Sequence, residues 1–305
     1  MPWKQQITFH KMESEFIRKD WVKIRGVPMI CACSPNWDRI DNFQAREEDI
    51  IIATYPKSGT TWMSEIVDVI LNDGDIEKSQ RDVIFNKVPM LEFWVPGAVP
   101  PGSELLDSLP SPRVVKTHLP VSLFPKSFWE KNCKIIYVAR NPKDVAVSFY
   151  HFDKMNQLHP EPGTWGGYVD KFIQGNMGFG PWGAHVKEFW ARKKERNILY
   201  MFYEDMLEDP KREIRKVMKY LEKDLPEDVL ENICLHTSFK AMKDNPNTNY
   251  TAISSSIMDQ SVSPFMRKGI CGDWKNHFTV SQNEKFDEYY QKEISGTNLS
   301  FRFQV

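Results

Sequence analysis

The stretch Thr54–Trp62 reads TYPKSGTTW and sits between a continuous apolar run, Asp49–Thr54 (DIIIAT), and a segment of helical period. A strand therefore enters a short turn, and a helix leaves it at Thr60 or Thr61. Such a turn aims backbone N–H groups and the positive end of a helix dipole at one spot, which favours a phosphate. Lys57 adds a mobile positive charge, and Ser58, Thr60 and Thr61 add hydroxyl donors. The lysine precedes the only glycine, so the pattern is not GxxxxGK[ST]. On this stretch alone an ordinary strand-turn-helix corner, with Ser and Thr acting only as caps, remains open.

A magnesium triphosphate site would also need a carboxylate at the end of a second strand. KIIYVARNPKD (Lys134–Asp144) ends in Arg140 instead. That arginine suggests a second phosphate held by a cation and a site without metal; a surface salt bridge is the alternative. Asp144, four residues on, reads as an acidic charge at a helix N-terminus. In KTHLP (Lys116–Pro120), His118 follows a strand beside Lys116, where open α/β sheets bind ligands. Its ordinary pKa suits a general base, although a hydrogen-bonded structural histidine fits the same residues. Arg267, Lys268 and Gly269 form a third cationic motif, either a phosphate clamp or a pair of solvated charges.

The elements that must position these residues are apolar, β-branched runs bounded by turn residues: Asp49–Thr54, Arg113–Thr117, Lys134–Arg140 and Asn197–Tyr203. Continuous apolarity predicts strands covered on both faces, hence a parallel sheet. Between them, TTWMSEIVDVILNDGD repeats apolar positions at Trp62, Ile66, Val69 and Ile70, with Gly74 as a stop. Asp209–Lys223 begins with a cap and a proline and places Ile214, Val217, Met218 and Leu221 on one face. This alternation predicts a single α/β domain over residues 1–305, with a central parallel sheet flanked by helices and a P-loop-like turn. Residues 95–112 and 245–273 are read as irregular, the second as a lid over the site, and 1–25 as an N-terminal extension.

Composition narrows the partners. Forty basic and forty-one acidic residues give a net charge of -1, so no global field draws nucleic acid or membrane. Five scattered cysteines fit neither a disulfide framework nor a zinc site. Without an apolar leader or long apolar run, the expected location is the cytoplasm.

TYPKSGTTW, KTHLP, YVARNPKD followed by VSFYHF, FYED, HTSF and FMRKGICGDWKNHFT, in this order and at these separations, resemble the cytosolic sulfotransferases, most closely the phenol-sulfating family 1. The resemblance runs from about Gly26 to Phe303. It implies a metal-free site using PAPS (3'-phosphoadenosine 5'-phosphosulfate) as sulfuryl donor and releasing PAP. By the same resemblance Lys57, Ser58, Gly59, Thr60 and Thr61 hold the 5'-phosphosulfate, and Trp62 stacks on adenine. Arg140, Ser148, Arg267, Lys268 and Gly269 hold the 3'-phosphate. Tyr203, Thr237, Ser238, Phe239 and Met242 line the adenosine side, with Phe265 and Met266 also on the cofactor.

His118 resembles the catalytic base, with Lys57 and Lys116 supporting an in-line transfer. Lys116, Thr117, His118, Met90, Phe93, Phe152 and Tyr250 are the implied acceptor residues, for a small phenol or alcohol. Phe149 and Phe265 are further aromatic candidates for that slot. Met90 and the Cys31–Cys33 segment replace bulkier family residues and suggest a roomier slot. Asn156 stands where an acid would mark catecholamine preference. Lys275–Glu284 is similar to the segment through which family members form homodimers. A nucleotide kinase or P-loop NTPase, and a catalytically silent PAPS- or PAP-binding module, are the competing readings.

Overall fold

The computed structural model describes residues 13–95 and 99–305, so the first half of the expected 1–25 extension lies outside the described residues. Strands β1 (Val22–Ile24) and β2 (Val27–Met29) form a hairpin closed by Arg25 and Gly26, both at positive φ, as a two-residue turn that follows strand twist requires. The central sheet contains β3 (Ile50–Thr54), β4 (Val114–Thr117), β5 (Lys134–Ala139) and β6 (Ile198–Phe202) in the order β4-β3-β5-β6, all parallel. Ala53 pairs with both Thr117 and Tyr137, and Ala139 with Phe202, so the carboxyl ends of the strands lie along one edge.

Alternation within the apolar runs sends successive side chains into two different cores. Ile51, Ala53, Val115, Ile135 and Tyr137 face one core, built with Phe149, Phe172, Val186 and Phe189. Ile50, Ile52, Val114, Ile136 and Val138 face the other, against Ile66, Val67 and Ile70 of the Thr60–Leu71 helix and Ile214 and Val217 of the Pro210–Tyr220 helix. Both faces are covered, as the continuous apolarity predicts.

The boundaries follow local chemistry. The Thr60–Leu71 helix is followed by Gly74, at φ +81, whose N–H reaches the Val69 carbonyl at 2.9 Å. Trp62, expected on its apolar face, is only half-buried. Asp209 caps the next predicted helix by accepting from the Arg212 N–H, and that helix ends at Tyr220, one residue before Leu221. Tyr203 leaves the predicted strand and begins the Tyr203–Glu208 helix.

Residues 95–112 contain a helix, Gly102–Ser108, too short to leave a clear period. Residues 245–272 hold no helix or strand. They are nonetheless pinned to the end of the Pro142–Met155 helix, where Gln157 N–H donates to Ile257 O at 2.8 Å and Asp259 N–H to Met155 O at 2.8 Å. Among the described residues no helix is long and apolar enough to cross a membrane.

Arg113 stops β4 one residue short of the predicted start. Its side chain forms a bidentate pair with Asp49, Nε to Oδ1 at 2.8 Å and Nη2 to Oδ2 at 2.5 Å, with both side chains almost fully buried. Breaking such a pair strands a charge in the core. Arg113→Leu is expected to cost about 3–5 kcal/mol in equilibrium urea unfolding, and the double replacement Asp49→Leu, Arg113→Leu much less.

Candidate active site

In the turn between β3 and its helix, Gly59 has φ +102 and lies against Tyr203, where a Cβ would come within 2.9 Å of the ring. Lys57 is also held at positive φ, 67°. Its carbonyl accepts from Arg140 Nη1 at 3.0 Å, so the strand-end arginine braces the turn. The Lys57 ammonium rests over the Phe152 and Phe265 rings, 4.2 and 4.3 Å from their centroids. Burial and then the Arg140 charge, partly opposed by Asp153, lower its pKa to about 7. Arg140 is not the surface salt bridge that the sequence left open. It is buried, its Nη2 donates to Ile270 O at 2.9 Å, and its guanidinium lies 4.3 Å from the Tyr203 ring centroid.

His118 is fixed at three atoms. Its backbone N–H donates to Glu92 Oε1 at 2.6 Å, and its carbonyl lies 3.0 Å from His185 Nε2. Nδ1 is 2.9 Å from Thr54 O and 3.1 Å from Thr54 Oγ1; the carbonyl can only accept, so the shorter contact is a hydrogen bond with the hydrogen on Nδ1. Nε2 then holds the lone pair and has no hydrogen-bond partner among the described residues. Burial, opposed by the Thr54 bond and reinforced by His185, Lys116 and Lys57, lowers the pKa to about 3, so the ring is neutral. Lys116 Nζ donates to the Tyr250 hydroxyl at 3.0 Å.

The third motif is held by Asp273, which the sequence did not single out, and by Asp144, which it read only as a helix-end charge. Asp273 pairs with Arg267 Nη1 at 2.7 Å and Lys268 Nζ at 2.5 Å, so these cations are not merely solvated. Burial opposes the Asp273 charge, but Lys268, Asn276 and Arg267 outweigh it and hold the carboxyl well below its usual range. Asp144 is more than a helix-end charge. It accepts from Gly272 N–H at 2.7 Å and Trp274 N–H at 3.0 Å, tying the Arg267–Gly269 segment to the start of the Pro142–Met155 helix. Asn141 joins Asp144 to Glu204, so RNPKD, FYED and GICGDW lock together. The sequence signal was the order of those motifs; their mutual contacts have no local pattern.

A cavity of about 1070 Å³ brings these parts together. Lys57, Gly59, Thr60, Thr61, Trp62, Lys116, His118, Arg140, Ser148 and Tyr203 line it, as do Thr237, Ser238, Phe239, Met242 and Phe265–Gly269. Met90, Phe93, Phe152, Asn156 and Tyr250 line it too. Ser58 and Thr117 are fully buried and do not; Thr117 Oγ1 accepts from the Leu119 N–H at 3.1 Å. Phe149 belongs to the core rather than to an acceptor slot, packed edge-on against Tyr55. Gly269, at φ +65, lies so close to Phe239 that a Cβ would fall 2.1 Å from the ring.

Among the described residues three cavity-lining groups, Trp62 Nε1, Arg140 Nε and Arg267 Nε, are buried donors without a partner, and Ser58 Oγ in the Lys57–Thr61 turn is a fourth unpartnered atom. Buried donors without partners are rare; one anionic group shared by Arg140 and Arg267 would satisfy two of them, and the Lys57–Thr61 turn at the head of a helix offers a second place for an anion. The residues therefore fit a nucleotide with phosphates at two positions.

Two cationic anchors and a neutral imidazole along one edge of a parallel sheet mark a group-transfer enzyme of the P-loop-like α/β class. The family model described as Sulfotransferase domain matches residues 47–298. Over 291 residues the chain is 59% identical to Sulfotransferase 1B1 of Canis lupus familiaris, covering 95% of this chain and 98% of that protein. It is 54% identical to Sulfotransferase 1 family member D1 of Mus musculus, with the same coverage. Among solved structures, mouse sulfotransferase SULT7A1 complexed with PAP is 31% identical with TM-score 0.75, covering 91% of this chain and 95% of that one. Retinol dehydratase in complex with androsterone and inactive cofactor PAP is 26% identical with TM-score 0.84, covering 96% of each chain. The chain belongs to the sulfotransferase family, in its family 1 branch, and is a PAPS-dependent sulfotransferase.

Glu92, which holds the His118 N–H, is itself buried, with Oε2 unpartnered among the described residues. Burial, only partly offset by that N–H bond, pushes its pKa up to about 7. Between the unfolded value near 4.5 and about 7 the folded state keeps a proton that the unfolded chain has lost, so stability falls as pH rises through this window. Glu92→Gln removes that dependence. Its stability relative to wild type, from urea titrations, is expected to improve between pH 5 and pH 8 by up to about 3 kcal/mol.

Proposed function

We propose that the protein transfers a sulfuryl group from PAPS to the hydroxyl of a small phenolic acceptor, with His118 as general base. The observation that carries this reading is the state of His118: neutral, fixed at N–H, C=O and Nδ1, with Nε2 left to take a proton in a cavity shared with Lys57 and Lys116. When bound, PAPS supplies the sulfuryl group and a phosphate leaving group. In this reading the Lys57–Thr61 turn holds the 5' end, and Lys57 stabilises the negative charge developing there. Arg140, Ser148 and Arg267–Gly269 hold the 3'-phosphate, and Trp62, Tyr203, Thr237, Ser238, Phe239 and Met242 enclose the adenosine. PAP in the two related crystal structures supports this assignment of the cofactor.

Met90, Phe93, Phe152 and Tyr250 then bound the acceptor, whose flat ring suits an apolar, aromatic lining. Phe265, 4.1 Å from Tyr250 and 4.3 Å from Lys57 between ring centroids and ammonium, stands where acceptor and cofactor meet. The same reading takes the chain as one domain, 245–273 as a lid, the cytoplasm as its location and Lys275–Glu284 as a homodimer contact. Within that segment Val280 is 77% exposed at the start of a helix fixed by a Thr279–Gln282 capping box.

Incubation with PAPS and p-nitrophenol, with and without EDTA, tests the whole reading. EDTA-resistant sulfated product is the expected result; EDTA-sensitive ATP turnover points to a kinase, and PAP binding without product on a phenol panel to a silent module. His118→Ala should lower turnover by ~10²- to 10⁴-fold while PAP still binds. Near wild-type turnover in that variant removes the assigned base.

Lys57 gives an independent check. With a pKa of about 7 it is largely uncharged at pH 8, and a neighbouring phosphate raises that pKa. PAP binding should therefore take up close to one proton per site at pH 8 and much less at pH 6. Calorimetry in buffers of different ionisation enthalpy reads the uptake, and Lys57→Ala should abolish it.

A further inference from the structure

We propose that His185 is a positioning residue for catalysis, acting through His118 without touching either substrate. The inference rests on the reading of His118 as base. His185 lies on the Trp182–Arg192 helix, is 1% exposed and does not line the cavity. Its Nε2 is 3.0 Å from the His118 carbonyl, and its Nδ1 is 2.7 Å from the hydroxyl of Tyr137 in the middle of β5. A carbonyl only accepts, so Nε2 carries the hydrogen and Nδ1 must accept from the tyrosine O–H. Tyr137 thereby selects the tautomer that can hold His118.

The ring has little freedom to do anything else. Tyr55 meets it edge-on at 5.4 Å, Phe189 packs at 5.5 Å and Tyr137 at 5.7 Å, all between centroids. Burial lowers its pKa to about 4, so it stays neutral and keeps one N–H to give.

His118 needs such a restraint because it lies past the end of β4, where ladder hydrogen bonds have stopped. Glu92 holds one side of its backbone and His185 the other, so the peptide on each side of the Cα is fixed. Phe179, edge-on to the imidazole at 5.3 Å, comes from the segment just ahead of the His185 helix. Rotation of the freed peptide would swing Nε2 away from the acceptor hydroxyl, and a misplacement of about 1 Å can cost ~10²-fold in rate. A buried histidine serving only the core would instead lower stability without acting through His118.

The test compares His185→Phe, which removes the donor, with His185→Gln, whose side-chain amide can still reach the carbonyl, and with Tyr137→Phe. With PAPS and p-nitrophenol, His185→Phe should lower kcat about 10- to 100-fold, with acceptor KM and PAP affinity within about twofold of wild type. Glutamine should recover most of the loss, and Tyr137→Phe should fall between. In a His118→Ala background His185→Phe should lower turnover no further, because its route passes through the missing imidazole. Additive losses in that double variant, an unchanged kcat in folded His185→Phe, or no rescue by glutamine in a folded protein would each overturn the proposal. If His185→Phe does not fold, Tyr137→Phe and His185→Gln decide it: wild-type kcat for Tyr137→Phe, or full loss for His185→Gln, counts against it. Failure of the base reading is read separately, from His118→Ala alone.

Discussion

The rest of the site depends on positive charge held in a desolvated cavity without a matching set of carboxylates. Lys57, Lys116 and Arg140 have no acidic partner within salt-bridge distance among the described residues, and Arg267 shares Asp273 with Lys268. Backbone carbonyls and ring faces do the work that carboxylates do elsewhere: Lys57 O and Ile270 O receive Arg140, and Phe152 and Phe265 cover the Lys57 ammonium. Such contacts position a cation while leaving its charge uncancelled. The arrangement carries an electrostatic cost, seen in the Lys57 pKa that burial and then Arg140 depress, and under the proposed function an anionic nucleotide offsets it.

Holding cations this way demands rigid backbone, and Asp144 and Glu204 serve that rather than pairing with a cation. Asp144 takes the N–H groups of Gly272 and Trp274, and Glu204 takes the N–H of Asn141. These bonds join β5, the helix after β6 and the segment after residue 266 into one unit. Arg140 and Arg267 arrive from distant parts of the chain yet are fixed relative to each other. A carboxylate aimed into the cavity would have neutralised the cations; aimed at backbone amides, it fixes them.

Much of this was legible in the sequence, for reasons that differ residue by residue. The isoleucine-rich run before TYPKSG announced a doubly covered parallel strand because period-two alternation is lost when both faces are buried. Arg140 at the end of KIIYVAR was legible as the departure from a magnesium site because a strand end is a fixed place in such folds. The resemblance implies Thr117 as an acceptor residue beside Lys116 and His118, but strand alternation turns its buried side chain away from the cavity. Phe149 was misplaced similarly, one helical position from Ser148 and three from Phe152, with its own direction toward the core. Glu92, Asp273, Glu204 and His185 were not legible as parts of the site, since their partners lie far away in sequence and no spacing rule links them.

The depressed basicity of His118 follows from burial first, and the same charge imbalance adds to it. An imidazole with pKa about 3 is a weak base, held down by burial and then by His185, Lys116 and Lys57. Under the proposed function an anion on the turn engages those lysines and adds negative charge beside the ring, which raises the proton affinity of Nε2. Under the proposed function the base is thus strongest when the nucleotide is in place, and an acceptor arriving first meets a histidine poorly able to ionise it. The bonds from Thr54, Glu92 and His185 keep Nε2 aimed into the cavity, so binding of the nucleotide changes the proton affinity of a group whose geometry is already set.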